Sequence, residues 1–415
     1  MPLILKVFLR ALLLSALLSI AFVGGWISGR GIGPASASGA ADRFALLGEV
    51  WSLLETDFYG KAQLDPTTMV RGALGGMLAS LDDDYTVYQE PEKAAQAAEY
   101  MQGRQGGIGT FLRITDGRVF LYKPIRGGPA IVAGLQQDDE IVVIDSDPVA
   151  PLIAGLSVDE SAVKIGGLLR GDAGTQVQIA IRRGDAAPFA LTLTRAEVVV
   201  PSVEWQMMPG QVAYIRIGEF KADTVQEFDT ALAELLPQTP TGLILDLRGN
   251  PGGFLDGARG VLGRFYDGVA LREVSADGRE DTIRTLSGDL RVGARPVVVL
   301  IDGGSASASE IVAGALREQL PGVQVVGETT YGKGSVQRIY ALSDGGSARI
   351  TTAHWRTPVG AEIQGVGVAP DASIAFADDP AAPVPCIADR LPPAGQTSCG
   401  DTQLARALAI LTDTR

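Results

Sequence analysis

Histidine is the scarcest residue in the chain, with His354 alone among 415 residues. A Ser-His-Asp enzyme would have to use it. It lies in Ile350-Thr351-Thr352-Ala353-His354-Trp355, a strand-like run away from every glycine-rich stretch, and reads as a structural histidine. The same scarcity disfavours a histidine-rich zinc site. Only two cysteines are present, Cys386 and Cys399, with no cysteine-nucleophile motif around either. Basic charge is also short: 35 Lys and Arg against 48 Asp and Glu leave a net charge of −13. A nucleic-acid binder normally needs a concentrated basic surface, so this balance argues against one. The run Asp82-Asp83-Asp84 lacks the D-x-D-x-D-G spacing and distal Glu of a calcium loop and reads as a solvated turn. The turn around Gly332-Lys333-Gly334 does not match a P-loop.

What the chain has in abundance is glycine, 52 residues, with 23 prolines and 46% hydrophobic content. That composition and length suit a turn-rich α/β protein of two or three domains. Strand-like Pro296 to Ile301 stops at Asp302-Gly303-Gly304, and Ser305-Ala306-Ser307-Ala308-Ser309-Glu310 then leads into helical spacing through Ile311, Val312, Ala315 and Leu316. Ser307 stands where strand becomes helix. The first turn of a helix offers free N–H groups and its positive dipole end, so an oxyanion beside Ser307 would find donors such as the Ala308 amide. Ser307-x-x-Glu310 equally fits a capping box that only satisfies backbone donors.

Val323 to Val326 reads as a further strand, and Gly327 to Gly334 as a glycine-bounded turn into Ser335 to Tyr340. Lys333 and Gln337, four positions apart, would share a strand face about 13 Å apart unless Gly334 bends the chain. A lysine can deprotonate a serine only when neutral, so its pKa must fall from about 10.4 towards 7–8, at a cost of roughly 3–4 kcal/mol. Gln337 would orient such an amine without adding charge.

Three stretches carry a resemblance: Gly304 to Ile311, Val326 to Gln337, and Asp246-Leu247-Arg248-Gly249-Asn250-Pro251-Gly252-Gly253. Together, in this order of chemistry, they resemble the core motifs of the carboxy-terminal processing peptidases, peptidase family S41. The resemblance implies Ser307 as nucleophile, Lys333 as its base and Gln337 as the orienting residue, with Glu310 in a supporting role. It makes the Gly252 or Gly253 amide a second oxyanion donor beside Ala308, the two glycines being left undecided. It implies no metal and no organic cofactor.

Taken in order, Lys6 and Arg10 precede the uncharged apolar stretch Ala11 to Ser28, followed by Ala35-Ser36-Ala37, so residues 1–37 read as an export signal or a retained membrane anchor. Either places the remainder outside the cytoplasm, in the periplasm, the cell envelope or the medium. Residues 42–98 are predicted to be helical, with apolar faces through Phe44, Leu47, Val50, Trp51, Leu54 and Phe58, then Met69, Ala73, Leu74, Met77 and Leu78. They resemble the family's N-terminal segment, which implies a homodimer through these helices.

Residues 99–198 change to short strands at Phe111–Ile114, Val119–Pro124, Glu140–Ile144, Val177–Arg182 and Phe189–Thr194, with a helix near Ser161 to Arg170. Gly106 to Thr110, Gly128 to Leu135 and Asp138 to Asp145 resemble a PDZ domain, β-barrel-like with helices, which binds a peptide C-terminus by strand addition. Its carboxylate loop would be Gly107-Ile108-Gly109-Thr110. Arg170 is a candidate sensor of peptide occupancy, a solvated arginine being the alternative. Gln137-Asp138-Asp139 departs from the family's Pro-Gly-Asp and lacks the turn glycine.

Residues 199–372 are expected to form an α/β serine peptidase core of the ClpP/crotonase type, and 373–415 a tail with an amphipathic helix from Gln403 to Leu411. In an exported chain Cys386 and Cys399 would close a disulfide worth about 3 kcal/mol; two free thiols are the alternative. The expectation is an ATP-independent, extracytoplasmic serine endopeptidase acting on polypeptides with apolar C-terminal tails. Two other classes stand beside it: a non-catalytic PDZ adaptor on a peptidase scaffold, and a crotonase-like acyl-CoA enzyme using the same helix-start oxyanion hole.

Overall fold

Runs of β-branched and aliphatic residues at 212–217, 242–246 and 297–301 form the centre of the molecule, because strands buried on both faces must be apolar throughout. The computed structural model describes residues 37–125, 127–289, 291–387 and 397–413. The export-signal reading of the apolar stretch 11–28 lies outside them. No helix among the described residues is long and apolar enough to cross a membrane.

The chain divides into two units at Leu74/Gly75. The first holds α1 (Ala37–Asp57) and the start of α2 (Pro66–Ala79). Phe44, Leu47 and Val50 on the apolar face of α1 are exposed, and α2 buries no residue. Helix is also not continuous to residue 98. The second unit opens with a turn at Asp82–Tyr85, β1 (Val87–Gln89) and α3 (Pro91–Met101).

Next come β2 (Arg104–Gly107), β3 (Phe111–Thr115), β4 (Arg118–Tyr122), β5 (Glu140–Ile144), α4 (Val158–Leu169), β6 (Gln176–Arg182), β7 (Phe189–Thr194) and β8 (Ala196–Val199). Strands β3 to β7 form one antiparallel sheet in sequence order, and β2 pairs with β8. They enclose their own core around Val119, Leu121, Ile141, Ile165 and Ile179. The turn without glycine is made by Asp138, which takes φ 69° itself. Aspartate tolerates this left-handed region better than most side chains, and Asp139 beside it pairs with Arg183 at 2.7 Å.

The core follows with β9 (Val203–Met208), β10 (Val212–Ile217), α5 (Thr224–Leu235), β11 (Gly242–Asp246), α6 (Leu255–Leu262), β12 (Val269–Ser275), β13 (Glu280–Arg284), β14 (Val297–Ile301), α7 (Ala308–Gln319), β15 (Gln324–Gly327), β16 (Ser335–Ala341), β17 (Ser347–Arg356), β18 (Ala372–Ser373) and α8 (Thr402–Thr412). Its main sheet has the order β9-β10-β11-β14-β15-β18, parallel after the first pair. Alternate residues face opposite ways: Ala213, Ile215, Leu243, Leu245, Val297 and Val299 meet α5, α6 and α7. Val212, Tyr214, Ile244, Val298 and Leu300 meet Leu404, Ala407 and Leu411 of α8. A second sheet joins β1, β17, β12 and β13, with β16 also on β17. Cys386 and Cys399 are bonded to each other, and the short strands around them pair Val384 with Cys399.

Candidate active site

Three motifs far apart in sequence meet because the strands that precede them are neighbours. Strands β11, β14 and β15 lie side by side and parallel, so the loops after Asp246, Ile301 and Gly327 leave from one edge of the sheet. In open parallel sheets the carboxyl ends of the strands are where ligands bind.

The loop after β14 turns sharply. Asp302 Oδ1 accepts from the N–H groups of Gly249 (2.8 Å) and Gly304 (2.9 Å), bracing this loop against the one after β11. The three serines then separate into two jobs. Ser305 donates to Leu247 O at 2.8 Å and Ser309 to Asn250 O at 2.9 Å, and both are fully buried. Ser307 between them is only half-buried and stands at the N-cap of α7 with φ 53° and ψ −113°. A non-glycine residue held at positive φ costs about 1–3 kcal/mol and marks a place where the surroundings impose the geometry.

Glu310 is what imposes it. Its side chain is fully buried and accepts four hydrogen bonds. Oε2 takes the N–H of Ser307 (2.7 Å) and of Lys333 (2.8 Å). Oε1 takes the Thr330 hydroxyl and the Gly332 N–H, both at 2.6 Å. The glutamate half of the capping box is therefore real, but the same carboxylate also holds the lysine loop. One oxygen atom sets the spacing of the Ser307 and Lys333 backbones.

Lys333 precedes β16 rather than lying on it, which corrects the expectation that Lys333 and Gln337 share a strand face. A register shift between Val336 and Gln337 breaks the alternation as well. Gln337 donates to Ser335 Oγ (2.8 Å) and Thr351 Oγ1 (3.2 Å), not to the lysine amine. The Lys333 carbonyl accepts from Trp355 Nε1 at 3.1 Å, and the amine lies 4.5 Å from the centre of the Tyr85 ring. Burial pushes the Lys333 amine below the ordinary lysine range, helped by Arg349; Asp83 and Glu310 oppose the shift. No hydrogen bond joins this amine to the Ser307 hydroxyl.

The loop after β11 lies against Ser307. A Cβ on Gly252 (φ 109°) would stand 2.8 Å from Ser307 Cβ and 3.1 Å from Ala308 N. The Gly252 N–H is taken by Asn250 Oδ1 at 2.9 Å. Among the described residues the N–H groups of Gly253 and Ala308 have no acceptor. From the other side the loop is anchored by Arg248, which is buried between Asp246 (2.6 Å) and the N-cap of α8, Asp401 (3.0 Å), with Gln403 at 3.0 Å. Tyr214 completes the network on Asp246 at 2.8 Å.

Gly107, Ile108, Gly109, Thr110 and Arg170 are brought together elsewhere, around one cavity of about 250 Å³ between the β2–β3 loop and α4. Arg170 is the C-cap of α4, as the sequence implied. His354 is exposed on β17, paired in register with Ser335, and its side chain joins none of these groups. Sequence reasoning missed Tyr85, Asn250, Asp302 and Trp355. Asn250, Asp302 and Trp355 stood in stretches already singled out, but none was given a role there; Tyr85 follows directly on the Asp82–Asp84 run that read as a solvated turn.

An α/β core with a serine at a strand-to-helix elbow, a lysine loop beside it and glycine amides opposite defines a class of serine hydrolases. A sequence model of peptidase family S41 matches residues 211–374. The carboxy-terminal processing protease CtpA of Bacillus subtilis is 32% identical over 348 residues, covering 84% of this chain and 72% of its own. The carboxyl-terminal-processing protease of Synechocystis is 35% identical over 329 residues, covering 77% of this chain and 74% of its own. The solved structure of a putative S41 protease from Bacteroides fragilis, 16% identical, matches with a TM-score of 0.54 over 88% of this chain and 97% of its own, a likeness of fold. The chain belongs to peptidase family S41 and is a serine-type peptidase of the carboxy-terminal processing kind. The adaptor and acyl-CoA readings fall away.

Proposed function

We propose that the chain is an extracytoplasmic, ATP-independent endopeptidase in which Ser307 is the nucleophile, Lys333 its general base, and residues 99–198 a PDZ domain that captures substrate C-termini. The observation that carries the dyad is the Glu310 carboxylate, whose single oxygen accepts from the backbone of both residues. Neutral Lys333 removes the Ser307 hydroxyl proton as the oxygen attacks the scissile carbonyl. The Ala308 and Gly253 amides receive the oxyanion; Gly253 is preferred to Gly252, whose N–H is already engaged. The ammonium returns its proton to the leaving amine, and a water deprotonated by Lys333 hydrolyses the acyl-enzyme. Gln337 would act on Lys333 only after leaving Ser335 and Thr351.

Support for peptide capture comes from the cavity lined by the glycine-rich loop and Arg170. Among the described residues the Ile108, Gly109 and Thr110 N–H groups have no backbone acceptor, which suits a carboxylate nest. Export rests on Lys6, Arg10 and the apolar stretch 11–28, which also makes membrane association part of the reading. The exposed Phe44, Leu47 and Val50 on α1 are what a homodimer through the N-terminal helices would cover.

The test is cleavage of an unfolded reporter with an apolar C-terminal tail by the full chain in detergent. Wild type should turn over, and Ser307→Ala and Lys333→Ala should each lose at least about 10³-fold in kcat/KM. Undiminished turnover by Ser307→Ala would remove it as nucleophile.

A further inference from the structure

The segment between α2 and β1 runs through the site rather than past it. Tyr85 is fastened there from three directions. Its N–H donates to Asp83 Oδ1 at 3.1 Å, and the next residue, Thr86, donates to Asp83 Oδ2 at 2.6 Å and accepts from Thr351 N at 3.0 Å. Two residues on, β1 pairs with β17, Val87 opposite Arg349. The Tyr85 hydroxyl donates to the Tyr331 hydroxyl at 3.2 Å, and Tyr331 N donates to Ser305 O at 3.0 Å, so the ring is tied to the serine loop as well. Against the face of this ring lies the Lys333 amine, 4.5 Å from its centre. The amine makes no hydrogen bond to any described residue, and the ring is the side chain it lies against.

We propose that Tyr85 is a positioning residue of the active site: the face of its ring is the seat of the protonated Lys333 amine, braced by Tyr331, and the segment that carries it is part of the catalytic machinery. The inference rests on Lys333 being the base. An aromatic face attracts the ammonium and not the neutral amine, so the seat favours the form that cannot deprotonate Ser307. The Tyr331 hydrogen bond and burial push the Tyr85 phenol up to about 12, so Tyr85 stays uncharged where the enzyme works and acts through its ring alone. The other charged groups acting on the amine are Asp83 on the same segment, Glu310 on α7 and Arg349 on β17, while Tyr331 on the lysine loop touches the Tyr85 hydroxyl. Replacing the ring leaves the charges of Asp83, Glu310 and Arg349 in place, and the loss of the Tyr331 hydrogen bond is common to all three replacements, so the phenylalanine variant isolates it.

The test is the full chain with Tyr85→Leu, Tyr85→Phe and Tyr85→Trp, read two ways. The first is the acid limb of kcat/KM against pH on the apolar-tailed reporter. The second is titration of the Lys333 Cε resonance by NMR in a Ser307→Ala background, with the resonance assigned by its loss in Lys333→Arg. Leucine keeps the apolar cover and removes the face, so both midpoints should fall by roughly half to one pH unit. Phenylalanine should leave both midpoints in place, and tryptophan, the strongest face, should raise them. If the leucine variant does not fold, the phenylalanine and tryptophan pair decides by the same sign. A series with no ordered shift in the NMR midpoint overturns the seat. An NMR midpoint that moves while the kinetic limb stays supports the seat and overturns Lys333 as the base.

Discussion

Four donors converge on Glu310, and two of them belong to the backbones of Ser307 and Lys333. At the scale of single residues the site is therefore organised by a buried carboxylate that touches neither the Ser307 hydroxyl nor the Lys333 amine. Lys333 shows what such placement costs. A lysine whose folded pKa lies below its unfolded value near about 10.4 binds fewer protons in the native state, so its contribution to stability improves as pH rises through that window. Lys333→Met should thus melt higher than wild type at pH 7. The gap should be widest below the folded pKa and close as pH approaches the ordinary lysine range. Melting curves across pH would check this, and a gap independent of pH would show that burial does not penalise the charge.

Among elements, the loop after β11 depends on a helix more than 150 positions away. Arg248 holds that loop to Asp246 and to Asp401, the residue that also caps α8 through Leu404 N at 2.9 Å. Burial alone would raise the Asp246 pKa, but the Arg248 guanidinium outweighs it and keeps the carboxylate below the usual range. Arg248→Met takes the guanidinium away from two buried carboxylates and should cost about 3–5 kcal/mol at neutral pH, with kcat falling as the Gly253 amide loses its place. For a lowered carboxylate pKa the stabilisation is present above the unfolded value and is lost as pH falls through the folded one. The difference between wild type and variant should therefore shrink only at pH well under 4. Chemical denaturation at pH 7 and pH 3 would measure it, and an equal deficit at both would discount the Asp246 pair.

For the whole molecule, the bond between Cys386 and Cys399, 13 positions apart, holds the chain that leads directly into Asp401. Loop-closure entropy values such a bond at about 3 kcal/mol. Reduction should lower the melting temperature by several degrees and reduce kcat/KM, because the Asp401–Arg248 anchor lies just beyond the bridge. Retained activity after complete reduction, verified by thiol titration, would confine the bond to stability.

The sequence alone was enough for the peptidase family, the strand-to-helix place of Ser307, the α/β core and the edges of most strands in residues 104–199. These depend on apolar periodicity and on residue types within a few positions of each other. What only the tertiary structure decided are relations between distant residues. Strand order β11-β14-β15 made three motifs neighbours, and Glu310 joined Ser307 to Lys333. A bulge at Val336/Gln337 spoiled the face-sharing that period two implied, and Asn250 engaged Gly252, leaving Gly253. Tyr85 came to Lys333 across more than 240 positions. Local pattern carries no information on which loop will stand beside which, because that is settled by how the sheets pair and pack.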